Sequence, residues 1–271
     1  MWIDIGANLT HSRFNPDRDA VIARAFDAGV ERMILTSSSG PTVLAGEQLR
    51  QRYPDHFWIT SGIHPHEAGQ VRDEDWETVS TFAKHPGVVA IGECGLDYFR
   101  NLAEPVEQRR IFEKQVDLAI RVGKPLFLHG RDAHPDMRAI LENAGSDLPK
   151  AVIHCFTGSA SELDDYLSMG LWIGLTGWVC DERRGRHLLP LLHRIPENRL
   201  LIETDAPYLL PRTLPHPPRN GRNEPAFLPH IATFLATHLN RDLADFSTRL
   251  RTNSFDFFWP RPDFQETFPH E

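Results

Sequence analysis

The chain has 271 residues, 41% of them hydrophobic, and a formal charge of −8 from 29 basic and 37 acidic side chains. That is enough apolar material for one well-buried domain and matches the ~250 residues typical of an α/β barrel. The acidic balance argues against general coating of duplex DNA, which needs a basic face, but leaves room for a local basic rim beside a cation pocket. Cys94, Cys155 and Cys180 are an odd number without C-x-x-C spacing, so neither a disulfide framework nor a thiolate zinc site is indicated. The opening stretch MWIDIGANLTHSRF carries an acid early and no long apolar run, so it does not read as a signal peptide. No window reaches the ~18 uninterrupted apolar residues that span a bilayer. A cytoplasmic protein without membrane contact is expected, a monomer by default because no interface patch stands out.

Taken in order, strand-like runs fall at residues 2–5, 32–36, 57–62, 88–92, 125–129, 151–154, 171–175 and 200–204. Amphipathic segments alternate with them at 17–28, 43–52, 74–84, 106–122, 135–142, 161–168 and 181–193. Residues 225–239 supply an eighth helix, and 242–258 a C-terminal addition. Several helices run into glycine (Gly29, Gly123, Gly170), a favoured residue just past a helix end. Near-continuous apolar runs are the signature of parallel strands buried on both faces. Eight β-α alternations predict a single (β/α)8 TIM barrel over residues 1–259, with 260–271 as a tail. An open doubly wound sheet is the alternative. The barrel is preferred because only closure brings such scattered strand ends together. Residues 207–229 carry seven prolines and read as a long loop over the barrel mouth.

The stretch VAIGECGLD organises the chemistry. Its apolar run stops at Gly92, and Glu93 follows on what reads as a glycine-rich turn. Other apolar runs end in His129, His154 and Asp205. In a barrel, such residues face the catalytic mouth. One carboxylate oxygen and two imidazole nitrogens suit Zn, Mn or Fe, and Mg where water completes the shell. Asp205 is then a further ligand or the base that takes a proton from water. Any one of these residues alone is more often structural, and Asp205-Ala206-Pro207 also makes a good turn cap. His64, in GIHPH after the third run, and Arg131, two residues past His129, are placed to touch a substrate phosphate. Arg183, Arg184, Arg212, Arg219 and Arg222 lie on later loops as a candidate phosphate rim, and Trp178 as a base-stacking surface. Cys94 and Cys155 read as small buried fillers.

GECGLDY (92–98), HGRDA (129–133), HCFTG (154–158) and ETDAPYL (203–209) resemble the signature motifs of the TatD family of metal-dependent deoxyribonucleases. GIHPH (62–66) and RNEP (222–225) add to the match, which covers about residues 2–258. GWVCDERRG (177–185) and DIGANLT (4–10) resemble the bacterial branch of that family. The resemblance implies a TIM barrel and a hydrolase that uses a divalent metal. The implied activity is 3′–5′ exonuclease cleavage of single-stranded DNA or RNA ends, with a role in DNA repair or nucleic-acid turnover. Carried over by position, it makes Glu93, His129 and His154 metal ligands and Asp205 catalytic, with a metal contact of its own. His64, Arg131 and Arg222 are expected on the substrate.

One departure stands out. Many family members begin with Asp-x-His-x-His, which supplies two ligands for a second metal; here the stretch is Asp4-Ile5-Gly6-Ala7-Asn8. Gly6 has no ligating side chain, and Asn8 is a weak oxygen donor. One firm metal site is expected, with a second ion held weakly or only with substrate. Losing two imidazoles tilts the choice toward Mg2+, with Mn2+ or Zn2+ as alternatives. A competing reading keeps the barrel and changes the bond cleaved, to a metal-dependent amidohydrolase or esterase such as a D-aminoacyl-tRNA deacylase. A non-catalytic scaffold is the third, disfavoured because Glu93, His129, His154 and Asp205 are all present.

Overall fold

The computed structural model describes residues 1–259. Eight strands form one parallel sheet in sequential order: β1 (Trp2–Ala7), β2 (Val30–Leu35), β3 (Phe57–Ser61), β4 (Val88–Asp97), β5 (Leu126–Arg131), β6 (Ala151–Ile153), β7 (Trp172–Leu175) and β8 (Leu200–Ile202). Just beyond β8 the chain returns to β1. Ala7 and Ala206 form a parallel bridge, flanked by bonds of 2.8 Å from Asp205 N–H to Gly6 O and from Asn8 N–H to Ala206 O. The sheet is thus the expected barrel and not an open layer. The tail at residues 260–271 lies outside the described residues.

Helices α1 (Arg18–Asp27), α2 (Gly40–Arg52), α3 (Asp73–Phe82), α4 (Pro105–Val122), α5 (His134–Asn143) and α6 (Ala160–Ser168) follow β1 to β6, and α7 (Leu228–His238) and α8 (Leu243–Phe258) follow β8. On α4, Ile111, Phe112, Gln115, Val116 and Ala119 are buried at helical spacing, so one stripe faces the sheet. Gly123 stops α4 in the left-handed conformation, at φ 67°. Among the described residues, no helix is long and apolar enough to cross a membrane.

The helix expected at 181–193 is absent. Three 3-10 segments, Gly177–Cys180, Arg186–Arg194 and Glu197–Arg199, occupy the β7–β8 connection, the second of them covering most of the expected helix. Its apolar residues Leu188, Leu191 and Leu192 are buried as an amphipathic helix would bury them. Asp181, however, draws the backbone N–H groups of Arg183, Arg184 and Gly185 into a turn, and Pro190 lacks the N–H an α-helix needs there.

Inside the barrel, Ile3, Ile5, Ile34, Val89, Phe127, Val152 and Leu201 pack with Phe257 and Phe258 of α8. Trp259 lies 4.9 Å from Trp58 and Phe257 lies 5.4 Å from Trp172, centroid to centroid; both tryptophans sit at strand starts. The end of α8 therefore seals the N-terminal face. Polar side chains are left to line the opposite mouth.

Candidate metal centre

β4 continues past the point where its apolar run ends. It runs to Asp97, with a slip in register between Gly92 and Cys94, so Glu93 sits within a strand and not on a turn. Two glycines permit this. Gly92 and Gly95 have φ of 151° and 133°, and a Cβ on them would lie 2.3 Å from Phe127 O and 2.0 Å from His129 O. Only glycine lets β4 pass this close to β5. Glu93 is the residue skipped by the ladder; its N–H bonds Ser37 O at 2.8 Å. A bulge of this kind re-aims a side chain, here into the mouth.

Three imidazoles converge on Glu93 Oε1: His154 Nε2 at 2.7 Å, His129 Nδ1 at 2.9 Å and His64 Nε2 at 3.2 Å. His129 sits within β5 and His154 directly after β6. The outer nitrogens of two of these rings face further carboxylates. His129 Nε2 lies 3.2 Å from Asp97 Oδ2, which also takes His66 Nε2 at 2.7 Å. His154 Nδ1 lies 3.3 Å from Glu203 Oε1, and its ring stacks on Phe127 at 4.7 Å. Asp97 orients the His129 ring by a hydrogen bond, whereas Glu203 faces His154 Nδ1 as a charge without hydrogen-bonding it, and each carboxylate raises the basicity of its ring.

The electrostatics follow from this packing. Burial alone would raise the Glu93 carboxyl, but the surrounding histidines outweigh it and hold the group well below its ordinary range. Burial would lower His154, yet Glu93 and Glu203 together raise it well above the usual imidazole value. His129 is likewise raised by its bonds to Asp97 and Glu93, against the effect of burial. His64 differs: burial lowers it to about 4. Its Nδ1 accepts the His66 backbone N–H at 3.1 Å, so in the neutral ring Nε2 carries the proton. One nitrogen of His64 and one of His129 lie with a Glu93 oxygen within 4.8 Å of one another, a spacing that can surround an ion. The tautomer nevertheless makes His64 a donor in the first instance.

The β1 and β8 ends complete the mouth. Asp205, three residues past β8, is partly buried, and the loss of solvent around it pushes its carboxyl up to about 8. Asn8 Nδ2 donates to its Oδ1 at 2.9 Å. Asp4 ties the two ends together, accepting from Thr204 N at 2.9 Å, Thr204 Oγ1 at 2.5 Å and Gly6 N at 3.2 Å. Beside Gly6 lies Glu203: Oε1 accepts the Cys155 N–H at 2.6 Å, while the buried Oε2 has no hydrogen-bond partner. A Cβ on Gly6 would stand 2.2 Å from that oxygen. The space beside Gly6 on strand one is therefore filled by Glu203 from the end of strand eight.

The sequence profile of TatD-related DNases matches residues 3–259. The chain belongs to the TatD-related DNase family. A protein named 3′–5′ ssDNA/RNA exonuclease TatD from Edwardsiella piscicida is 49% identical over 240 residues, covering 89% of this chain and 92% of that one. Its namesake from Dickeya dadantii is 48% identical over 260 residues, covering 95% and 97%. Among solved structures, a hydrolase TatD family protein from Entamoeba histolytica superimposes with a TM-score of 0.87 at 27% identity, covering 96% and 98% of the two chains.

Within this TatD fold the structure brings Glu93, His129, His154, His64 and Asp205 to one mouth. Arg131 lies at its edge, with its guanidinium carbon 3.8 Å from the Phe99 ring centroid. Arg222 departs from the role expected of it. It is 7% exposed, and its terminal nitrogens bind Asp17 at 2.7 and 2.8 Å and Glu224 at 2.7 Å. That locks the long β8–α7 loop onto the chain before α1 instead of offering charge to a ligand. Arg183, Arg184 and Arg212 gather around Asp181, and the Arg184 guanidinium covers Trp178 at 4.3 Å. Burial pushes the Cys94 thiol up, and that of Cys155 up to about 12, in keeping with fillers. Asp97 and Glu203 were not singled out by sequence reasoning, although both stand in the motifs that hold Glu93 and Asp205. The available signal was an acid closing an apolar run.

Proposed function

We propose that this chain is a metal-dependent 3′–5′ exonuclease that releases 5′-mononucleotides from the ends of single-stranded DNA or RNA. The carrying observation is the convergence of Glu93, His129 and His154 beside Asp205 at the mouth of a TatD barrel. The donor set fits a divalent cation: buried carboxylates with two imidazoles, each backed by a further carboxylate. Glu93, His129 and His154 would hold the ion, with Asp205 at its edge. With so much oxygen in the set, Mg2+ or Mn2+ is favoured over Zn2+. One ion is held firmly, because Gly6 and Asn8 offer little to a second. Such an ion, when bound, withdraws charge from a phosphate oxygen and acidifies water.

The protein's own groups do the rest. Asp205, oriented by Asn8, takes the proton of the attacking water as the carboxylate, the form a neighbouring cation would favour against the burial that raises it. As water oxygen bonds to phosphorus, the bond to the 3′-oxygen of the preceding nucleotide breaks, and that oxygen leaves. His64, neutral with Nε2–H directed into the mouth, donates to a non-bridging oxygen as charge builds there. Arg131 neutralises a neighbouring phosphate. A strand end enters a barrel mouth more readily than a duplex does. The activity would serve DNA repair or nucleic-acid turnover.

The test is chelator-treated protein on a 5′-labelled single-stranded oligonucleotide, with Mg2+, Mn2+ or Zn2+ restored. A metal-dependent ladder shortening from the 3′ end, absent in Glu93→Ala, is the expected result. An intact strand under every metal would overturn the proposal and direct attention to ester and amide substrates.

A further inference from the structure

A large aromatic side chain in water calls for an explanation when it stands at a catalytic mouth. Phe99 is 57% exposed on the loop after β4, with Leu102 on the same loop 59% exposed. It lies two residues beyond Asp97, whose carboxylate holds His129 and His66, so its loop starts at the candidate metal centre. Arg131, the last residue of β5 and two beyond His129, lays its guanidinium over one face of that ring at 3.8 Å. Among the described residues its side chain has no ion pair and no hydrogen bond, its one recorded partner being the ring. Elsewhere on the barrel Arg109 is committed to Asp136, Arg222 to Asp17 and Glu224, and Arg183, Arg184 and Arg212 to Asp181; Arg100, beside Phe99, is exposed and likewise makes no ion pair among the described residues, but it does not lie over the ring.

We infer that Phe99 and Arg131 together form a subsite for an unpaired nucleobase and its adjoining phosphate. The inference rests on the exonuclease reading of the same mouth and deepens it. The open side of the Phe99 ring offers a stacking surface that any base can use, because every base has a π-face. In a duplex interior both faces of a base are already covered, so the platform favours single strands. Arg131, held flat by the ring and lacking an acidic partner, presents its donor fork to phosphate oxygens. Cation–π contact pre-positions the guanidinium without neutralising its charge. Selection for unpaired ends would then come from the β4–α4 loop, and hydrolysis from the cluster below it.

Equilibrium binding of a short fluorescein-labelled single strand, followed by anisotropy in chelator, measures the subsite apart from turnover. Phe99→Ala is expected to weaken binding about tenfold, and Phe99→Trp to restore it. Arg131→Gln should flatten the slope of log affinity against log salt by about 0.7, the value of one phosphate contact on a single strand, and Phe99→Ala should leave that slope as it is. Single abasic positions are then scanned from the 3′ end. One position should reproduce the loss in the parent protein and add nothing in Phe99→Ala. Because Phe99 is exposed, unchanged melting temperature and near-ultraviolet circular dichroism in the variant will show an intact fold. Parent-like affinity in Phe99→Ala, or a loss spread evenly over every abasic position, overturns the subsite. If the parent cuts strands while Phe99→Ala binds as the parent does, only the subsite falls. If the parent neither binds nor cuts any strand, the exonuclease reading falls and the subsite with it.

Discussion

A single methyl group on Gly6 probes the centre from its crowded side. The Cβ of Gly6→Ala would stand 2.2 Å from Glu203 Oε2, 3.3 Å from Glu203 Cδ and 3.2 Å from Phe127 Cζ. Glu203 cannot simply swing aside, because it is fully buried and its other oxygen holds the Cys155 N–H at 2.6 Å. Forcing it away costs about 1–3 kcal/mol of overpacking. Losing a hydrogen bond to a charged acceptor adds about 1.5–3 kcal/mol. A loss of roughly 4 kcal/mol corresponds to a melting temperature lower by about 10 °C in a chain of this size. The displaced carboxylate also removes the negative charge that lies 3.3 Å from His154 Nδ1. That should weaken divalent-metal affinity about 10- to 100-fold. Thermal unfolding of the metal-free protein and calorimetric titration with Mn2+ read the two effects separately. In a Glu203→Ala background the added methyl should cost much less, a non-additivity that assigns the effect to this pair. Gly6→Ala melting with the parent and binding Mn2+ as tightly would refute the reasoning. Gly6→His, which adds an imidazole to strand one, should fail to create a second site for the same steric reason.

Other consequences can be measured on the same preparations. Arg222→Ala removes the bonds to Asp17 and Glu224 and should cost about 2–3 kcal/mol in urea unfolding, toward the low end for a buried pair because Asp17 is partly exposed. The Arg222 side chain holds the Asp17 carboxyl below its usual range. A depressed carboxyl stabilises the fold fully above its unfolded value of about 3.9 and loses that contribution as pH falls through the folded value. Unfolding followed down to about pH 3 should therefore show a smaller acid loss in Arg222→Ala than in the parent. Mg2+ or Mn2+ added to chelator-treated protein should stabilise it by about 2.7 kcal/mol at a hundredfold excess over Kd, seen as a higher melting temperature, and Glu93→Ala should abolish the rise. Asp205→Asn should keep the fold and lower kcat about 10²- to 10⁴-fold, as expected for loss of a general base.

The barrel could be read in advance because its determinants are local and repeated. Apolar runs such as Pro125–Leu128 and Ala151–Ile153 leave little alternative to buried parallel strands, and ligand-type residues at five strand ends made sense only with closure. The misreadings share a cause: a partner distant in sequence decides the outcome. Gly92-Glu93-Cys94-Gly95 has the composition of a turn, but β5 offers a ladder and Ser37 O takes the Glu93 N–H, so the strand continues through it. Residues 181–193 carry a helical apolar stripe, which the Asp181 turn and Pro190 divert into 3-10 geometry while its leucines stay buried. Arg222 looked like its loop neighbours. Its commitment to Asp17, 205 positions away, exists only after folding.

The same logic underlies the proposal that the centre holds one ion. A carboxylate as buried as Glu93 cannot remain unpaired without a large desolvation cost. Here the nitrogens of His129 and His154 that would hold a cation instead bond Glu93, and Asp97 and Glu203 stand behind the rings. The ligands are thus set in place before an ion arrives, and binding replaces hydrogen bonds without repacking the core. Glu203 supplies this support on the side where Gly6 leaves space. A larger residue at position 6 would have to displace the carboxylate that faces His154. On this reading the glycine and the glutamate are one device. The chain has no strand-one imidazole, and the space beside Gly6 is taken by the carboxylate that faces His154.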